Sequence, residues 1–437
     1  MSRSGRSFGA NVLISFAFTG LLTAMALGNS VIIARMVGAE GRGLYALAVA
    51  ALGILSPLTN LGLGFSSTWA LGRGEAPTKV VSLNHAWSAL MLLTCTGLVA
   101  PALFYFEGVP AAEWALIAVA TLAALPASVY TENVRGVFLG RNQIIRYNSV
   151  QTGVVLVQLI ANLTLLQYGR RAVLLAWLIA YWLPSIIILL GHVPALRRFA
   201  FPERAFREEQ VGYGVRAAGT HLLDMLLFRL DYLLVTPIVG VAAIGLYSVA
   251  DQIVAVLGWG GQVAGRMMLA ESSADVDGVS ARRKLGLGVR TLILVVGFAL
   301  VGAAATGWLV IPAVFGEDFR GAYLGMLILL PGALLRGASS MLGTYLMGRA
   351  VLRPVLIAGA AAIVIVVVGS PIAAMTSGWL GVAAVRVVAM TVQLALVVRA
   401  YREVTGESMR WVLDKDDVSA LAAWVRSRVP GGGRRGP

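Results

Sequence analysis

Four ionisable side chains inside one apolar run are the residues of this chain best placed to do chemistry. The stretch THLLDMLLFRLDYLLVTPIVG, residues 220–240, holds His221, Asp224, Arg229 and Asp231. A charged side chain at the centre of a bilayer costs about 2.5–3.5 kcal/mol on insertion scales, so such residues face water, a partner or a ligand. At about 100° per residue, Arg216, His221, Asp224 and Asp231 share one broad helical face, and Arg229 points roughly the other way. The next apolar run adds Asp251, Gln262 and Arg266. Two kinds of chemistry follow. Carboxyl and imidazole groups in a dry setting can exchange a proton or hold a cation; Asp224, with His221 beside it, is the expected ion-coupling pair and Asp251 a third candidate. Guanidinium groups suit phosphate oxygens, and 32 of the 35 basic residues are arginine. A structural duty competes, because Arg229 can pair with a carboxylate such as Asp251. Glu132 and Arg135, spaced i and i+3, are expected to satisfy one another.

The elements that carry these groups are membrane helices. Hydrophobic residues make up 58% of the chain and charged residues 13%. The mean hydropathy is +0.81. Apolar runs long enough to cross a hydrocarbon core of about 30 Å recur from end to end, and they do not alternate as barrel strands do. Twelve spans are expected, at 8–36, 44–71, 83–106, 113–139, 148–168, 172–191, 211–238, 242–270, 285–315, 320–348, 354–376 and 379–400. Prolines 57, 126, 237, 331 and 371 lie inside spans and predict kinks.

Lysine and arginine set the orientation. With both termini in the cytoplasm, the inner segments before the tail carry fifteen basic residues and the outer ones five, among them Arg35 and Arg42. The net charge of +14 then meets anionic lipid headgroups and needs no nucleic acid. The expected place is the inner membrane, crossed many times. No phosphate-binding glycine loop predicts nucleotide binding, and no metal-ligand or hydrolase pattern is present, so neither cofactor nor metal is expected. The single cysteine, Cys95, excludes an intrachain disulfide.

An internal repeat organises the spans. VGAEGRGLYALA at 37–48 and VGVAAIGLYSVA at 239–250 share V-G-x4-G-L-Y-x2-A at an offset of 202. A second echo is LGR at 139–141 against MGR at 347–349. The expected fold is therefore an all-α polytopic protein of two pseudo-symmetric six-helix lobes around a central cavity, as in parallel-repeat transporters. The expected divisions are an N-terminal lobe at 1–191, a cytoplasmic linker at 192–210, a C-terminal lobe at 211–401, and a tail at 402–437 with a short amphipathic helix. The offset pairs Asn29 with Asp231 and Asn60 with Gln262, which predicts that these four face one shared cavity.

The segments ARMVGAEGRGLYALAVAALGILSPLTNLGLG (34–64) and RLDYLLVTPIVGVAAIGLYSVADQI (229–253) resemble the matching parts of Wzx-type polysaccharide and O-antigen repeat-unit flippases. Those belong to the multidrug/oligosaccharidyl-lipid/polysaccharide exporter superfamily. The resemblance implies a transporter, not an enzyme, that moves an undecaprenyl-diphosphate-linked oligosaccharide outward for cell-surface polysaccharide synthesis. It implies a polyprenyl-diphosphate-linked glycan and membrane lipids as partners, with a proton or sodium ion as coupling ion. Under that reading Arg229, Arg35 and Arg266 contact the diphosphate, and Asn29, Asn60, Asp231 and Gln262 line the path. The alternatives are a drug or small-molecule exporter, a lipid II flippase and, from another class, a membrane polymerase or ligase of lipid-linked sugars. Lipid II flippases usually carry two further spans, and a polymerase or ligase would need a large outer loop.

Overall fold

The computed structural model describes residues 8–105, 112–196, 201–261, 279–349 and 351–409, together with residues 199, 264, 265, 268 and 411. Among them the backbone forms helices and turns, and no strand. That is what lipid dictates for apolar runs of this length, since each backbone polar group must be satisfied inside its own segment. In chain order the helices are α1 (Phe8–Asn60), α2 (Leu63–Gly72), α3 (Pro77–Tyr105), α4 (Ala112–Gly140), α5 (Ile144–Leu165), α6 (Ala172–Leu196), α7 (Arg204–Val239), α8 (Val241–Leu257), α9 (Val279–Phe315), α10 (Ala322–Gly348) and α11 (Arg353–Thr405). Seven described helices are long and apolar enough to cross a membrane. Helix α7 is long enough as well, but its apolar run is broken by the ionisable residues.

Helices α1 and α11 each hold two spans. A straight α1 would separate residues 29 and 45 by about 24 Å. Yet Asn29 bonds Asn162 and Tyr45 bonds Gln158, and those partners sit one turn apart on α5. The chain therefore folds back between residues 29 and 45, and it does so at Gly38 (φ 63°, ψ −165°). In α11 the space beside Gly369 is closed by Val385, and that beside Gly381 by Ala373. These two pairs centre on residue 377, and the backbone reverses at Gly378 (φ 61°, ψ −155°). The expected first and second spans, and the eleventh and twelfth, are thus arms of two hairpins with almost no loop.

The repeat appears in the backbone. Gly240, 202 residues after Gly38, joins α7 to α8 with φ 82° and ψ 164°. This region is open essentially to glycine alone. The second repeat glycine permits a close crossing. A Cβ on Gly43 would overlap the carbonyl oxygen of Val241, and a Cβ on Gly245 would overlap that of Ala39. Residues 39 and 43 map onto 241 and 245 under the same offset, so the contact is reciprocal.

The second arm of α1 departs from expectation at both ends. It resumes straight after Gly38, which places Arg42 inside a helix at 5% exposure instead of in an outer loop. It stops at Leu61 and Gly62, both with positive φ, four residues beyond Pro57.

The described chain divides into two compact units. One takes in the chain to Asp251 with Trp308–Met326 and Ile363–Val385; the other takes in Gln252–Gly307, Leu327–Ala362 and the chain from Arg386. In the first, small residues let backbones meet: Gly136 lies against Gly64, and Gly62 against Gly214. In the second, Gly258, Gly261 and Gly265 lie against Ala333, Gly337 and Ser340, a stripe at helical spacing. That unit also buries Arg386 completely and ties Arg282 to Glu407 at 3.5 Å.

Candidate functional site

The first unit contains a cavity of about 230 Å³, walled by the second arm of α1, α4, α6 and α7. Its polar lining comes from Ser56, Ser128, Glu132, Tyr181 and Arg229. Gly53 makes room for the arginine: a Cβ there would touch the Arg229 stem and Met225, each at 4.0 Å. The helical arithmetic held for α7. Arg229 faces the cavity, while Asp231 is turned from it and fully buried, accepting a hydrogen bond from the Tyr247 hydroxyl at 2.6 Å.

Arg229 belongs to a charged group that the sequence did not assemble. Its guanidinium stands 6.0 Å from the ring centre of Tyr232, whose hydroxyl donates to Asp251 at 2.9 Å. Arg42 lies with its guanidinium 5.2 Å over the Tyr45 ring and interacts electrostatically with Tyr232, Arg229 and Asp251. Two cationic groups, Arg42 and Arg229, thus stand close to Asp251 beside the cavity, whose wall also carries the carboxyl of Glu132. Arg229 and Asp251 do not form the direct pair that the competing structural duty would require; Tyr232 lies beside both.

Glu132 also departs from expectation. Arg135 donates to Gln151 at 3.0 Å and stacks over Tyr147 at 4.6 Å. The Glu132 carboxyl accepts instead from Asn60 Nδ2 at 3.2 Å and opens on the cavity. Spacing of i and i+3 puts two groups within reach on one helix, but neighbouring helices offered each a better partner. An acidic residue in an apolar run was visible in the sequence; the assumed partner hid it.

The other named residues lie as follows. Asn29, 3% exposed, accepts from Asn162 at 2.6 Å, and Asn60, equally buried, contacts Glu132. Asn29 and Asp231 therefore each bond a neighbouring helix and do not line the cavity. Asp224 is exposed on α7, outside the cavity lining. Arg35 donates to the carbonyls of Val314, at 2.9 Å, and Ala313, capping the end of α9 where helical carbonyls lack partners. Gln262, Arg266, the side chain of His221 and the expected tail helix lie outside the described residues.

Solved structures similar to this chain share its fold at low identity. The lipid II flippase MurJ, in an inward closed conformation, aligns with a TM-score of 0.69 and 13% identity, over 96% of this chain and 94% of its own. An inward-facing multidrug resistance MATE family transporter of the MOP superfamily aligns at 0.62 and 15%, over 93% and 96%. A MOP superfamily transporter from Pyrococcus furiosus aligns at 0.56 and 15%, over 90% and 92%. No curated protein matched the sequence closely enough to count as a relative. The helical hairpins, the repeat and the intramembrane cavity are thus set in the fold of MOP-superfamily transporters. The family model described as polysaccharide biosynthesis protein matches residues 8–259, more than half of the sequence, and the chain belongs to that family.

Proposed function

We propose that the protein is a flippase that carries a polyprenyl-diphosphate-linked oligosaccharide across the cytoplasmic membrane by alternating access, with no chemical change to it. One observation carries the reading: Arg229 on the cavity wall with a second guanidinium group, Arg42, close by. A diphosphate is the lipid-linked group that two such guanidinium groups recognise, through paired charge-assisted hydrogen bonds. The prenyl tail stays in lipid while the headgroup passes. Membership of a polysaccharide biosynthesis family, and a similar fold in a protein named as a lipid II flippase, support the same reading. Both termini are assigned to the cytoplasm on the arginine bias.

The test is flipping of fluorescent undecaprenyl-diphosphate oligosaccharide in proteoliposomes. Arg229→Ala is expected to slow it at least about thirtyfold, the loss of a charge-assisted contact of about 2 kcal/mol. Lysine at 229 restores part of the rate, because it lacks the planar fork. A normal rate in Arg229→Ala protein that has reached the membrane refutes the assignment. Lipid II and a cationic dye, run in parallel, test the two rival substrates.

A further inference from the structure

We infer that Glu132, with Asn60, Ser56 and Ser128, forms a binding site for one exchangeable monovalent cation, a proton or a sodium ion, on the cavity wall. The site lies on α1 and α4, away from the helix that carries Asp224 and His221.

The first ground is the carboxyl itself. Among the described residues no arginine or lysine nitrogen lies within 4.0 Å of Glu132. Its hydrogen-bond donor is the neutral amide of Asn60. The charged and titratable groups around it are few. On its own helix Arg135 interacts electrostatically but is held by Gln151 and Tyr147. From α6 comes Tyr181, and from α7 comes Arg229 across the cavity. A carboxylate this poorly paired in a membrane interior is costly, and it is relieved by a proton or by a metal cation.

The second ground is an independent orphan. Asn60 is 97% buried, given its 3% exposure, and its Oδ1 has no hydrogen-bond partner. An acceptor in that position asks for a donor or a cation. The Ser56 and Ser128 hydroxyls, 3.2 Å apart, add two oxygens on the same wall. Carboxylate and hydroxyl oxygens from two helices, joined by the Asn60 amide oxygen once that amide flips toward Glu132, are the ligands a hard cation takes. A protonated Glu132 would use the same surroundings by donating to the Asn60 oxygen after an amide flip.

The third ground is access. The cavity reaches Glu132, so the cation can leave and return. Arg229 opens on the same space, so an anion at Arg229 and a cation at Glu132 would each lower the cost of binding the other. That coupling rests on the flippase reading; the cation site does not.

The test uses the full chain in lipid nanodiscs without any lipid-linked sugar. Saturable binding of radiolabelled sodium is expected, weakened about tenfold or more in Glu132→Gln and less in Asn60→Ala. Should Glu132→Gln fail to fold, Glu132→Asp keeps a shorter carboxylate and is expected to bind with reduced affinity. If the ion is a proton, sodium does not bind, and an infrared carboxyl band titrates in the native protein and is missing from Glu132→Gln. The site is refuted if neither signal is seen, if Glu132→Gln keeps both, or if Asp224→Asn removes the signal while Glu132→Gln does not. Sodium or proton binding that persists while flipping is absent would overturn the flippase reading and leave this site standing.

Discussion

The corners at Val37–Ala48 and Val239–Ala250 share a backbone and differ in charge. Each turns on a glycine with positive φ, and each lays a second glycine against the other's carbonyl. Their side chains have gone separate ways. Position 42 is a buried arginine, and its counterpart, Ile244, is fully buried as well. The hydroxyl of Tyr45 reaches Gln158 at 3.5 Å, whereas that of Tyr247 holds Asp231 at 2.6 Å. Backbone geometry that only glycine permits is retained in both copies. The polar groups are not, since the two sequences of contacts differ between the halves. The repeat is a scaffold; the cationic group beside the cavity was built on one copy of it.

Substitutions at the crossing should disturb the comparison most. Gly43→Val and Gly245→Val force a side chain into a facing carbonyl, and each is expected to lower stability by more than about 3 kcal/mol, the upper range for overpacking. Thermal unfolding in nanodiscs should show the two variants alike; a tolerant position on either side breaks the reciprocity. Next come the turns. Gly38→Ala and Gly240→Ala place a Cβ in a region hostile to it, at about 1–3 kcal/mol each, and unequal losses would mean that the matched dihedrals are not equally required. The tyrosines sharpen the difference instead. Tyr247→Phe removes one of the donors to the buried Asp231 carboxyl and should cost about 1–2 kcal/mol, while Tyr45→Phe should cost about 0.5 kcal/mol. Equal costs in chemical denaturation would remove the asymmetry on which the comparison rests.

The legible and illegible parts of the molecule divide along physical lines. Apolar length announced the helices, because lipid leaves a chain few alternatives. The 202-residue offset announced Gly240 as the mate of Gly38, and the angles agree. Polar residues in short turns misled: EGRG reads as loop, yet the helix resumes at once and carries Arg42 into the interior. Packing between helices was hidden altogether. No spacing rule shows that Arg135 will prefer Gln151 to Glu132, or that Asn29 will meet a residue 133 positions away. Arg229 could be singled out as an ionisable residue in an apolar run. Its facing carboxylate could not be assigned, because choosing between a partner on the same helix and one on the next requires the structure.

The glycine turns have a consequence for how the protein meets its surroundings. Gly38, Gly169, Gly240, Gly316 and Gly378 all fall where an odd-numbered span hands over to the next, and each reverses the chain within a few residues. Even-numbered spans hand over at turns that carry Arg73, Arg141 and Arg349. Proteases and antibodies need a few residues of yielding, exposed chain to engage. At Gly38, Gly240 and Gly378, where a helix resumes at once, there is little for them to hold. A protease added from that side should leave the chain uncut there, and an inserted epitope or reporter belongs at the arginine-bearing turns.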